Sequence, residues 1–147
     1  MKQKTTWTKI EDVERKWYLV DATDMILGRL ATEVASLLIG KKKVNKVPNL
    51  DCGDYVIVIN SDKVQVTRSK GSKKTYFRHS GYPGGAKTIT FDKQMQKDST
   101  FVVENAVTNM VPNNKLRSGM LKRLYVYKDS DHKHEAQKPV EVKLSEE

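Results

Sequence analysis

Between residues 68 and 88 the chain carries six cations, Arg68, Lys70, Lys73, Lys74, Arg78 and Lys87, with Tyr76, Phe77, His79 and Tyr82 set among them and no acid. Cations neutralise phosphates, flat rings stack on bases or riboses, and glycines let a backbone approach closely, so the set suits a polyanion with stackable parts. The plainer account is a solvated surface loop, because runs of like charge usually belong to water. Four glycines and Pro83 deny the segment a helix interior or a long strand, and six like charges repel. The expectation is therefore an irregular loop that does not fold on itself. A second basic stretch holds Lys115, Arg117, Lys122 and Arg123, and a third is Lys41, Lys42 and Lys43. Those three lysines either complement the negative end of a preceding helix or reach phosphates, and the sequence leaves both open.

Other chemistries find few residues. Cys52 lies between Asp51 and Asp54, whose charges would raise a thiol pKa, so it makes a poor nucleophile. His132 and His134 stand two residues apart, pointing apart on an extended backbone, and no second cluster of ligands has metal spacing. Two solvated tail histidines are the default, although histidines charged by nearby phosphates would also suit an RNA-facing tail. Neither glycine-rich phosphate-binding signature occurs; Gly28 is expected to let a helix pack closely on a sheet, and the Pro83-Gly84-Gly85 run to be a turn. No catalytic residue, metal or cofactor is expected.

These side chains need a body to hold them. The 147 residues suit one domain, and the net charge of +9 is uneven. Residues 63–128 hold fourteen bases and three acids, which makes a concentrated footprint rather than a uniformly basic surface. A single cysteine allows no internal disulfide, the longest apolar run is Tyr55–Ile59, and residues 1–15 lack the apolar middle of a signal peptide, so a cytosolic protein without a membrane span is expected.

Trp17-Tyr18-Leu19-Val20 reads as a strand. Leu27, Leu30, Ala31, Val34, Leu37 and Leu38 then recur on one helical stripe, with Thr23 or Asp24 as cap and Gly40 as left-handed stop. Tyr55–Ile59 is a continuous apolar run, the pattern of a strand buried on both faces. Val64, Val66 and Thr67 are expected to form a further short strand. A second helix follows Asp98 or Ser99 with Phe101, Val102, Asn105, Ala106 and Met110 on one face; a short basic helix and a last strand, Leu124 to Tyr127, come after. Strands alternating with helices give an α/β class with a mostly parallel sheet. The division is an arm (1–15), one α/β domain (16–128) and an extended tail (129–147).

Six motifs in order then carry a resemblance: Trp17-Tyr18-Leu19-Val20-Asp21-Ala22-Thr23 with Leu27-Gly28-Arg29-Leu30-Ala31; Gly53-Asp54-Tyr55-Val56-Ile57; His79-Ser80-Gly81-Tyr82-Pro83-Gly84-Gly85; Ala106-Val107 with Met110 and Pro112; and the run from His132 through Lys138-Pro139. Together they resemble the large-subunit ribosomal protein 13 family in its bacterial form. Asp24, Arg68, Asn109 and Arg117 stand where the family has glycines, Asn49 where histidine is common and Cys52 where threonine is usual. The resemblance implies a three-layer α/β/α fold with a small, mostly parallel sheet and extended basic loops. It also implies a structural, non-enzymatic constituent of the large ribosomal subunit that binds 23S-type ribosomal RNA and neighbouring ribosomal proteins and acts early in assembly.

On that reading the RNA-binding residues are Lys41, Lys42, Lys43, Arg68, Lys70, Lys73, Lys74, Tyr76, Arg78, His79, Tyr82, Lys87, Lys115, Arg117, Lys122, Arg123, His132 and His134. Phe77 is expected to alternate with Tyr76 and face the core. The rivals are an RNA-binding regulator acting off the ribosome and a small-ligand α/β enzyme using a crevice lined by Asp21, Asp54 and Asp62.

Overall fold

The computed structural model describes residues 7–142. The first six residues of the expected arm and the last five of the expected tail lie outside the described residues. Four strands, β1 (Trp17–Asp21), β2 (Tyr55–Ile59), β5 (Leu124–Val126) and β6 (Val140–Glu141), form one parallel sheet in the order β5-β2-β1-β6. The α/β class and the mostly parallel sheet are as expected. Between β2 and β5 the chain inserts an antiparallel pair, β3 (Thr75–His79) and β4 (Ala86–Thr90).

Right-handed crossovers explain the layers. The connections from β1 to β2, through α1 (Leu27–Ile39), and from β2 to β5, through α4 (Ser99–Met110) and α5 (Arg117–Leu121), step the same way across the sheet and put their helices on one face. There Val20, Val56 and Val58 pack with Leu30, Val34, Leu38, Val102, Val103 and Val107 in a single core. The connection from β5 to β6 steps back across the sheet, so it crosses the other face. That thinner layer is a single 3-10 turn, Glu135–Gln137, and an aromatic stack. Trp17 lies flat on Tyr55 with centroids 4.2 Å apart, and His134 closes on Tyr125 at 4.5 Å. His134 Nε2 also meets the Tyr127 hydroxyl at 3.0 Å, and the His132 Nδ1 accepts the His134 amide at 3.3 Å. His134 is therefore built into the sheet's second face rather than left in water, and among the described residues His132 hydrogen-bonds only the His134 amide.

The α1 stripe is buried as its spacing predicts, and Val56, Ile57 and Val58 are wholly inaccessible, as the unbroken apolar run requires. Gly40 has φ +73°; its amide bonds the Leu37 carbonyl and the next amide bonds that of Ser36, which closes the helix in a Schellman motif. A Cβ on Gly40 would also press on the Cys52 carbonyl at 2.8 Å.

Several local expectations change. No side chain caps α1: Asp21 Oδ1 instead takes the Thr23 amide and hydroxyl, at 2.9 and 2.7 Å. A Cβ on Gly28 would meet nothing within 4 Å, so this glycine faces open space and not the sheet. Residues 64–67 form no strand, only a bridge from Gln65 to Ile26. A separate helix, α3 (Phe91–Lys97), precedes α4, and α4 buries Val102, Val103 and Val107 while Phe101 and Met110 are each 42% exposed. Two valines in succession turn the buried stripe away from the face that Phe101 and Met110 mark.

One buried group ties the elements together. The guanidinium of Arg123 spends all five N–H donors inside the protein: on Asp51 Oδ1 and Oδ2, both at 2.5 Å, and on the carbonyls of Gly119 (3.1 Å), Asp54 (3.3 Å) and Leu38 (3.4 Å). It thereby links the end of α1, the turn into β2, α5 and the start of β5. Gly53 lies against it, where any Cβ would collide with the Leu38 carbonyl and stand 2.9 Å from Arg123.

Asp51→Ala, which leaves that guanidinium unpaired, is expected to cost about 3–5 kcal/mol, read from the urea midpoint at constant slope. Asp98 stands at the N-cap of α4, and a hydrogen bond from the Thr100 hydroxyl at 2.7 Å holds its carboxyl below the usual range. Its stabilisation is present above the unfolded value of about 3.9 and is lost as pH falls through the lower folded value. Urea denaturation across that range should show a shallower acid-side loss for Asp98→Asn than for the parent.

Candidate nucleic-acid interface

The segment expected to be an irregular loop folds on itself. After Arg68, α2 (Lys70–Lys73) makes one helical turn, β3 leaves from it, and β4 returns to α3. The hairpin forms because Thr75, Tyr76 and Phe77 can oppose Thr90, Ile89 and Thr88, β-branched and aromatic pairs that favour a pleated surface. Its glycines are confined to the tip, where Gly81 and Gly84 take φ +89° and +72° and free the strands from the turn. The Gly81 amide donates to His79 Nδ1 at 2.9 Å, which directs Nε2 of that ring outward as the remaining polar nitrogen.

Strand phase decides which ring is free, and it reverses the expectation. Tyr76 and Ile89 face the body; the Tyr76 ring meets Phe101 edge-on at 5.9 Å, and its buried hydroxyl has no hydrogen-bond partner among the described residues. Burial pushes the Tyr76 pKa up. Phe77 is instead 68% exposed, next to His79 at 6.3 Å, and Tyr82 at the tip is 76% exposed. The alternation was correctly expected, but its phase is set by which side of the hairpin meets α4, and neighbouring residues do not record that.

Arg78 and Lys87 stand directly opposite each other in the ladder. Like charges in that position destabilise a sheet. Among the described residues no carboxylate pairs with either, nor with Arg68, Lys70, Lys73, Lys74, Lys115 or Lys122. Arg68 sits at φ +58° and Asp24 at φ +57°, so two of the positions where the resemblance has glycine hold left-handed backbone.

The other candidates divide by what they touch. Lys41 is exposed, but Lys42 pairs with Glu33 at 2.9 Å, and Lys43 is largely buried against Asp54 at 2.7 Å and the Glu14 carbonyl at 2.5 Å. Lys115 and Lys122 are exposed. Arg117 donates to the Thr108 carbonyl at 2.7 Å and to Asn113 at 3.2 Å, and Arg123 is buried as described. Of the basic segment 115–123, two side chains therefore face outward and two hold α5 in place.

The three aspartates expected to line one crevice are divided between the two ends of the sheet: Asp21 and Asp62 lie at the carboxyl ends of β1 and β2, whereas Asp54 precedes β2, beside an open cleft of about 580 Å³. Asp54 holds Lys43 and the Lys16 amide, Asp62 accepts the Ser99 hydroxyl, and Asp21 binds Thr23 and Asn60. Burial raises the Asp21 pKa, and the hydrogen bonds from Thr23 and Asn60 more than reverse it. Among the described residues, no three of His, Cys, Asp and Glu gather as a metal-holding group, and no helix is long and apolar enough to cross a membrane.

Comparison with known proteins places the same residues in a family. The family model described as ribosomal protein L13 matches residues 15–133. The chain belongs to the ribosomal protein L13 family. It is similar to proteins named large ribosomal subunit protein uL13 from Hahella chejuensis (50% identity over 141 residues, 96% of this chain and 99% of the relative), Thermotoga petrophila (51% over 142 residues, 97% and 95%) and Malacoplasma penetrans (45% over 145 residues, 97% and 99%). The L13 match covers β1 through β5 and the hairpin, and ends one residue before His134 of the aromatic stack.

Removing the orphaned hydroxyl of this L13-family hairpin with Tyr76→Phe should leave stability unchanged or raise it by about 1 kcal/mol, read as the urea midpoint.

Proposed function

We propose that this chain is a structural constituent of the large ribosomal subunit that grips large-subunit ribosomal RNA with its hairpin and joins the particle early in assembly. The observation that carries the reading is the Arg78–Lys87 pair: two cations face each other across a ladder in a hairpin that holds no acid. Such a pair destabilises the protein alone and is relieved when a phosphate lies between or beside the two charges. Membership of the L13 family, whose relatives are named as large ribosomal subunit proteins, supports large-subunit ribosomal RNA as that polyanion.

The body acts as a rigid holder, and the surface works in two parts. Arg68, Lys70, Lys73, Arg78 and Lys87 neutralise phosphates along the hairpin, with Lys115 and Lys122 as a second row. Phe77, His79 and Tyr82 offer rings to unstacked bases and riboses. Lys43, Arg117 and Arg123 serve the fold, and Lys41 and Lys42 stand exposed beside it. Neighbouring ribosomal proteins are expected partners on the surfaces away from this grip.

With roughly six to ten phosphate contacts, affinity for the RNA should fall on the order of a thousandfold or more between 50 and 200 mM salt. The deciding experiment is sucrose-gradient sedimentation of lysates expressing tagged parent or Arg78→Glu/Lys87→Glu. The parent should co-sediment with large subunits and the double variant should stay at the top with an unchanged melting temperature. A double variant that enters subunits normally would sink the hairpin grip. Phe77→Ala should weaken RNA binding by about 1–3 kcal/mol, whereas Tyr76→Phe should leave it unaltered.

A further inference from the structure

A cleft of about 240 Å³ opens where the hairpin meets the body, between the first turn of α1, α2 and the last turn of α4. Leu27, Val66, Ala106 and Met110 make an apolar trough, and Lys70, Lys74 and Asn109 stand around it. Lys74 is half-buried with its ammonium 5.6 Å from the centre of the Tyr76 ring. Neither lysine has a carboxylate partner among the described residues. Burial, with the nearby charge of Lys70 adding to it, pulls the Lys74 pKa below the usual lysine range. The protein alone thus keeps two repelling ammonium groups beside an apolar trough, and an anion with a flat apolar body is what that arrangement would take.

We propose that this cleft receives one unpaired nucleotide of the bound RNA, its base laid in the trough and its phosphate between Lys70 and Lys74. The proposal rests on the RNA-binding reading above and extends it to a defined pocket. Three features choose a nucleotide. Pockets for drug-sized ligands run from about 300 to 1,000 Å³, and this one is smaller, the scale of a single ring system. Lys74 leads straight into β3, so a strand held by Arg78 and Lys87 passes the mouth of the cleft. The Met110 thioether offers a polarizable face for a ring, and the side-chain amide of Asn109 at the rim has both a donor and an acceptor for a base edge.

The test is nuclear magnetic resonance titration of the isotope-labelled full chain with AMP, ribose 5-phosphate and inorganic phosphate. AMP should shift the amides of Gly28, Lys70, Lys74 and Asn109 saturably, at least about tenfold more tightly than ribose 5-phosphate. Gly28→Leu adds a side chain where a Cβ meets nothing within 4 Å, so it should fill the mouth of the cleft, abolish the AMP shifts and leave the melting temperature unchanged. Lys74→Met keeps the apolar stem, removes the charge and should weaken AMP several-fold; it serves as the second variant if Gly28→Leu melts early. Equal affinities for AMP and ribose 5-phosphate, or AMP shifts confined to the hairpin tip, would overturn the pocket. Gradient sedimentation separates this failure from that of the parent reading. A parent chain that co-sediments with large subunits yet shows no base-dependent shift overturns the pocket alone, whereas a parent chain absent from those fractions overturns the ribosomal reading.

Discussion

The fold depends on the Arg123 guanidinium more than on any other single polar group. A charge taken out of water is costly unless its donors are all met, and here two carboxylate oxygens and three carbonyls meet all five. Those acceptors come from α1, the turn before β2, and α5, so the ion pair fixes where the second crossover returns to the sheet. Gly53 and Gly40 make the approach possible, since a Cβ at either would strike neighbouring backbone. With β5 set beside β2, the chain can cross back over the opposite face and add β6 next to β1, and the Trp17, Tyr55, Tyr125 and His134 rings seal that face.

This division of the cations gives the molecule its polarity. Charges close to the sheet ends are neutralised internally, Arg123 by Asp51 and Lys43 by Asp54, while Lys42 meets Glu33 only at the surface. Among the described residues, charges on the hairpin have no carboxylate partner, although an antiparallel ladder would be more stable if one of Arg78 and Lys87 were an acid. Arg68 adds left-handed backbone at the same place. The body therefore carries a projection whose charges are poorly compensated on their own.

Much was legible in the residues themselves. The period of Leu27, Leu30, Ala31, Val34, Leu37 and Leu38 determined α1, because a 3.6-residue repeat has one way to bury a stripe. The unbroken Tyr55–Ile59 run determined a strand covered on both sides, since water on either face would have required polar alternation. The acid-free composition of residues 68–88 determined a basic surface, and six ordered motifs determined the family. These are local or compositional properties, and chain order is enough to express them.

What the tertiary structure decided is which like-looking residues do which work. Arg123 and Lys122 are neighbours in sequence, but one is buried on Asp51, seventy-two positions away, and the other is exposed. Tyr76 and Phe77 exchange the roles expected of them because the side of the hairpin that meets α4 sets the phase, and α4 itself is turned by Val102 and Val103. His134 joins an aromatic stack that only the return crossover assembles. Residue type and spacing determined the charge, the class and the family of this protein; long-range packing decided which charges and rings remain free, because a side chain's partner in space is not recorded by its neighbours in the chain.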